Sequence, residues 1–162
     1  MTEPPHAADP RALRRALGCF ATGVAIVTAA GRGAPCGLTI NSFASLSLDP
    51  PLVIWSLLSR SPSLARFQRA THFAIHVLAD DQRDLCARFA TPMPDKFDGV
   101  VWSSGLGGAP LLDGCAAVFE CANTAQAEGG DHLLFTGRVE RFRHDERAPL
   151  IFLRGQYLDR AA

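Results

Sequence analysis

Lysine is nearly absent from this sequence: of its 16 basic residues, only Lys96 is a lysine and the rest are arginine. Net charge is absent as well, because 16 acidic residues offset the 16 basic ones. A chain without a one-signed field has no electrostatic drive onto nucleic acid or an anionic membrane, so neither is expected as a partner. No apolar run approaches the roughly 18 residues that cross a bilayer. The strongest, Pro51 to Leu58, has the length of a strand, so no membrane span is expected. The N-terminus (MTEPPHAADP) lacks a basic segment followed by an apolar one, which argues against a secretory signal and makes the cytoplasm the expected compartment. The five cysteines, Cys19, Cys36, Cys86, Cys115 and Cys121, form no CxxC pair. They read as small buried hydrophobes in a reducing compartment rather than as a disulfide framework or a thiolate zinc site. GxSxG, HExxH and P-loop motifs are also missing, and Gly105, Gly107 and Gly108 lack the strand-then-helix setting of a dinucleotide fingerprint. Hydrolase, metal and P-loop chemistry are therefore not expected.

What is present suits a folded chain: 162 residues, 48% of them hydrophobic, fit one domain over 10–162 behind a polar, proline-rich tail at 1–9. Asp9-Pro10 is an N-cap followed by proline at the first helical position, and Leu13, Leu17 and Phe20 recur at helical spacing, which predicts a helix over about 10–20. Gly23 to Ala29 and Cys36 to Ser42 read as a hairpin around the turn AGRGAP. Ser42 to Leu48 alternates, Asp49-Pro50-Pro51 breaks it, and Leu52 to Leu58 reads as a buried strand. Ser61-Pro62 repeats the cap-then-proline signature before a short helix carrying Leu64 and Phe67. Phe73 to Leu78 is a strand, with His76 structural within it. Asp80 or Asp81 is expected to cap a helix holding Leu85, Cys86 and Phe89. After the proline-rich loop TPMPDKFDG come VVWSS, the strand CAAVFECAN, the long alternating HLLFTGRVERF and a last run APLIFLRGQYL. Seven or eight short strands and three short helices, with no βαβ alternation, predict a mainly β antiparallel barrel or sandwich with helices packed outside.

The candidate chemistry is a polar run: Thr39, Asn41, Ser42, Ser45 and Ser47, then Ser56, Ser59, Ser61 and Ser63. Such side chains donate to carbonyls, ring nitrogens and phosphates, and a helix start flanked by hydroxyls suits a phosphate. Turn and cap roles account for the same serines, and both readings stand at this stage. His132 follows two glycines and an aspartate at the mouth of a strand, where its ring would reach a ligand lying over the sheet. Taken alone, such a histidine is more often a surface or loop residue.

Six segments, in order, resemble the flavin reductase-like domain family, the NAD(P)H:flavin oxidoreductases that serve two-component monooxygenases. They are FATGVAIVTA at 20–29, GLTINSFASLSLDPPLV at 37–53, SRSPSLARF at 59–67, KFDGVVW at 96–102, GDHLLFTGRV at 130–139 and PLIFLRGQY at 149–157. The resemblance implies an FMN-binding split β-barrel, an antiparallel Greek-key barrel with a few short peripheral helices. It further implies a homodimer with FMN or FAD near the subunit interface, and NADH or NADPH as co-substrate. Carried over, Thr39, Ile40, Asn41 and Ser42 would line the isoalloxazine, Ser56 and Leu57 the ring and ribityl chain, and Ser61 and Ser63 the phosphate. Phe89 and the loop around Lys96 and Phe97 would cover the site, and His132 would position the nicotinamide.

The implied activity is hydride transfer from nicotinamide C4 to flavin N5, supplying reduced flavin to a partner monooxygenase. Both cofactors carry that chemistry, so the missing acid/base or nucleophile constellation is in keeping with it. Two alternatives remain: a flavoprotein electron carrier serving a metal centre or quinone, and a non-enzymatic split-barrel module holding flavin or haem. Oxidation of a pyridoxine phosphate-like substrate is not favoured, since Arg138, Arg141 and Arg143 fit an outer barrel face.

Overall fold

Asp9 opens the first helix, its Oδ1 accepting the N–H groups of Arg11 (2.9 Å) and Ala12 (3.1 Å) in front of Pro10. The computed structural model describes residues 9–31 and 34–158, so the expected tail falls outside the described residues except for this cap. The helix, α1 (Pro10–Leu17), stops at Gly18. It is shorter than its periodicity implied, which leaves Phe20 off the helical face and 80% exposed. No residue of α1 is buried.

In chain order there follow β1 (Thr22–Gly23), β2 (Ala25–Ala30), β3 (Pro35–Ile40), β4 (Ala44–Leu48) and β5 (Pro51–Leu58). Then come α2 (Leu64–Arg69), β6 (His72–Val77) and α3 (Arg83–Ala90). The remaining strands are β7 (Trp102–Ser104), β8 (Pro110–Leu112), β9 (Ala117–Gly129), β10 (His132–His144), β11 (Ile151–Leu153) and β12 (Gln156–Leu158), with one 3-10 turn at Leu106–Gly108. Seven strands form an antiparallel sheet in the order β3-β2-β6-β9-β10-β5-β4, flanked by a three-stranded sheet β1-β11-β12 and the pair β7-β8. This is a mainly β split barrel with three short helices outside. There are more strands than the sequence suggested because three-residue strands such as β7, β8 and β12 carry too few residues to show a period.

The large sheet packs on both faces, which explains why β2 is buried almost throughout instead of alternating. Val27, Ile75, Phe73, Trp55, Phe67 and Phe135 meet on one side, and Ile26, Val118, Leu78, Phe89, Leu112 and Leu150 on the other. Trp55 stacks on Phe135 with centroids 4.4 Å apart and meets the edges of Phe67 at 5.0 Å and Phe73 at 5.7 Å. Truncating one such ring costs about 3–5 kcal/mol. His76 is fully buried, with Nδ1 3.0 Å from the Ile26 carbonyl, and burial drives its pKa down to about 4.

Two expectations need correction. Neither Asp80 nor Asp81 caps α3. Gln82 holds that position, and its side chain is turned elsewhere, accepting from Ala79 N (3.0 Å) and donating to the Asp113 carbonyl (2.9 Å). Asp81 is held by Arg147. Strand β9 does not end near Asn123 but continues to Gly129, past the end of β6, as the edge of a β9-β10-β5 extension of the sheet, where an exposed edge tolerates the polar residues Thr124, Gln126 and Glu128. No helix among the described residues is long and apolar enough to cross a membrane, and all five cysteines are free thiols.

Candidate functional site

The split in the barrel lies between the edges β3 and β4, which do not pair with each other. Among the described residues strand β3 has β2 as its single strand neighbour, so every second N–H and C=O along it faces away from the sheet. Just past its end, Ser42 reaches β5: the Ser56 N–H donates to Ser42 Oγ (3.0 Å) and that hydroxyl donates to the Ser56 carbonyl (3.1 Å). Thr39, Ile40, Asn41, Ser42, Ser56 and Leu57 are thereby drawn together. Thr39 Oγ1 donates to the Cys86 carbonyl of α3 (2.7 Å), and Ile40 and Leu57 are buried. Asn41 is exposed, and its carboxamide has no partner among the described residues.

Two clefts flank β3. A smaller one of about 230 Å³ lies at Thr39, Ile40 and Asn41, walled by Val24, Phe152 and Tyr157. Tyr157 Oη lies 3.1 Å from Cys86 Sγ, and its pKa is pushed up to about 12 by that bond first and by burial second. A larger cleft of about 520 Å³ lies at the start of β3, bordered by Gly37, Ser63, Arg66, Lys96, Phe97 and Trp102. Gly37 is needed there, since a Cβ would stand 2.8 Å from Phe89 and 3.2 Å from Phe97. Those two rings meet edge-on at 5.0 Å and back β3 from behind, and Phe89, expected to cover the site, is instead fully buried there because Gly37 lets its ring pack against the strand. Lys96 Nζ donates to the Phe89 carbonyl (2.7 Å) and pins the loop over them, and burial lowers its pKa.

After β5 the chain turns through Ser59 to Ser63. Ser61 Oγ accepts the Ser63 N–H (3.3 Å), and the helix that follows is tied to the sheet by Asn123, whose Nδ2 donates to the carbonyls of Phe67 and Ala70, each at 3.0 Å. The N-cap residue of α2 is Ser63 rather than the expected Ser61, because residues 61–63 form a turn before the helix; Ser63 makes no side-chain cap bond, so its hydroxyl is not spent on its own helix. His132 begins β10 opposite Leu58, and the Ser59 N–H donates to the Asp131 carbonyl (2.9 Å), which places the ring at the same barrel end as Ser59 to Ser63. His132 borders neither of the two clefts along β3. Its Nδ1 is 2.7 Å from Asp131 Oδ1, and this bond holds the Asp131 carboxyl below its usual range.

A family model described as the flavin reductase like domain matches residues 17–160. The chain belongs to this family. It is 46% identical over 153 residues to the FMN reductase (NADH) SmoA of Agrobacterium fabrum, a match covering 94% of this chain and 87% of that one. It is 43% identical, over 94% of this chain and 78% of the relative, to HsaB of Rhodococcus jostii, the reductase subunit of a flavin-dependent monooxygenase. The structure of the NADH:FAD oxidoreductase SgcE6 of Streptomyces globisporus, in complex with NAD and FAD fragments, superposes with a TM-score of 0.92 at 38% identity, covering 99% of this chain and 98% of that one.

For a member of the flavin reductase family, the donor set suits a flavin. An unpaired strand edge offers alternating donors and acceptors, the pattern that the pyrimidine edge of an isoalloxazine presents. Asn41 supplies a free carboxamide, and the serines lie past the end of β5. Phe152 and Tyr157 lie in the PLIFLRGQY segment that carries the resemblance, but their place beside the site escapes sequence reasoning because only the fold brings the last hairpin against β3.

Proposed function

We propose that this protein is a flavin reductase that oxidises NADH or NADPH and delivers reduced FMN or FAD to a separate monooxygenase. The open outer edge of β3, beside the Ser42–Ser56 bridge, carries this reading in a chain of the flavin reductase family. When bound, the flavin accepts the nicotinamide C4 hydride at N5. The protein's task is then to hold and align two cofactors. Backbone groups of Thr39 to Ser42 and the Asn41 carboxamide grip the heteroaromatic edge, while Ser56 and Leu57 run along the ring and ribityl chain. Ser61 and Ser63 take the phosphate. Phe89, Phe97 and Lys96 keep β3 in place from behind, and His132 orients the nicotinamide.

The working unit we propose is a homodimer of single-domain chains folded over 10–162. Leu46 and Leu48 on the edge strand β4 and Phe142 on β10 are exposed, Leu48 at 92%, and an apolar edge strand is the kind of surface a second copy covers. Sedimentation that gave the monomer mass would exclude it. Free thiols throughout fit residence in the cytoplasm.

The deciding experiment mixes purified protein with NADH or NADPH and FMN or FAD while the nicotinamide absorbance is followed. Oxidation that depends on added flavin is the expected result. A protein that retains flavin but oxidises neither nucleotide would instead be an electron carrier.

A further inference from the structure

A groove continues beyond the end of β3. The small cleft at Thr39, Ile40 and Asn41 shares Asn41 and Phe152 with a wider cavity of about 940 Å³ between α1 and the turn joining β11 to β12. Four arginines line this cavity, Arg11, Arg14 and Arg15 from α1 and Arg154 from the turn, and among the described residues no acidic side chain does. None of the four makes an ion pair with another described residue.

Stability does not account for this gathering. Four guanidinium groups around one space, with no counter-charge among the described residues, repel one another. Helix α1 buries none of its residues, so core packing does not dictate which side chains it turns to the cavity. Arg154 is more telling. It has φ +50° and is the one described non-glycine residue with positive φ; with Gly155 (φ +82°) it makes the two-residue turn between Leu153 and Gln156. Such turns favour asparagine, aspartate or glycine at that place. The Arg154 N–H donates to the carbonyl of Gly18, the C-cap of α1, at 2.9 Å, so the turn is clamped to the helix and its arginine joins the other three.

We propose that this cavity binds the phosphates of the adenosine half of the nicotinamide dinucleotide, with the nicotinamide directed back past Asn41 toward β3. The inference rests on the flavin reductase reading. Guanidinium groups take phosphate oxygens in pairs and carry their charge at every working pH. Leu17, Phe20 and Phe152 give the same cavity an apolar wall for a base. The flavin phosphate has its place at Ser61 and Ser63, and Ser63 borders the cleft at the opposite end of β3, so the arginine cavity is left to the second nucleotide.

The test titrates ADP-ribose, which carries the pyrophosphate but no nicotinamide, into the flavin-free protein by calorimetry, beside its 2′-phosphorylated form. Wild type is expected to bind, and Arg14→Gln/Arg15→Gln to weaken binding at least tenfold. Arg154→Gly, which suits the turn better, is expected to weaken it severalfold with an equal or higher melting temperature. FMN affinity should stay the same in all variants, while the KM for NADH rises by more than kcat falls. Equal losses for both probes assign the arginines to the pyrophosphate, and a larger loss for the 2′-phosphorylated probe assigns them to that phosphate. Unchanged ADP-ribose binding in the variants, or none in wild type, overturns the proposal. So does a loss confined to FAD affinity, which would make this the adenylate site of the flavin, or a loss confined to dimer mass, which would make it an interface. The reductase reading fails separately, if wild type oxidises neither nucleotide with any flavin.

Discussion

The hydroxyl of Ser42 and the backbone of Ser56 exchange two hydrogen bonds, at 3.0 and 3.1 Å, across the split of the barrel. One side chain thus both accepts and donates, and it joins the end of one edge strand to a strand that lies on the far side of the sheet order. Ser42→Ala leaves a half-buried N–H without its partner, so unfolding by urea should show a loss of about 1–3 kcal/mol. Flavin affinity should fall with it, because the same bridge fixes Asn41. Wild-type flavin binding in a destabilised variant would mean that the bridge supports the barrel alone.

Asp131 accepts from Nδ1 of His132, which leaves Nε2 as the free ring nitrogen. His132→Ala is expected to raise the KM for NADH severalfold while flavin titrations stay put, and Asp131→Asn to do the same more weakly. If steady-state kinetics of His132→Ala match wild type, the ring does not position the nicotinamide.

Replacing Ser61 and Ser63 together by alanine should weaken FMN binding by about 1–3 kcal/mol. Riboflavin, which has no phosphate, serves as the control and should bind both proteins alike. Equal losses for FMN and riboflavin would place these hydroxyls elsewhere along the ligand.

His76 makes acid sensitivity a property of the core. Folded, it stays unprotonated down to about pH 4, whereas the unfolded chain takes up the proton near 6.5. The unfolded state binds more protons between those values, so stability is full above the upper one and drains as pH falls toward the lower one, by about 3 kcal/mol in all. Urea midpoints at about pH 7 and about pH 5 read this directly. His76→Gln, which keeps a donor for the Ile26 carbonyl, should flatten the difference even though it lowers stability at both.

Much of this architecture was legible because local chemistry and tertiary need agreed. Asp9-Pro10 caps α1 as its sequence says, and the apolar run Leu52 to Leu58 is a strand with Trp55 at the centre of one core. Where they disagreed, the fold prevailed. The aspartates before α3 lost the cap to Gln82 because Arg147 claims Asp81 from 66 residues away. Gly137 sits within a long alternating strand for a reason its neighbours in sequence do not reveal: a Cβ there would lie 2.9 Å from Cys121 and run into Phe73. The serines of the site were readable as polar residues in a strand context. Arg154 was not, since nothing in GQY or its flanks says that the turn folds onto α1.

The cysteines lead to chemical wear. Reduced flavin that meets oxygen before its partner yields peroxide, and peroxide attacks thiolates far faster than thiols. Burial pushes Cys36 and Cys115 up to about 11 and Cys121 to about 12, so their sulfurs stay protonated as well as enclosed. Cys19, at the rim of the arginine cavity, is the exposed thiol. A molecule aged by its own by-product should therefore carry its first oxidised sulfur there, and mass spectrometry of that single peptide would date the enzyme.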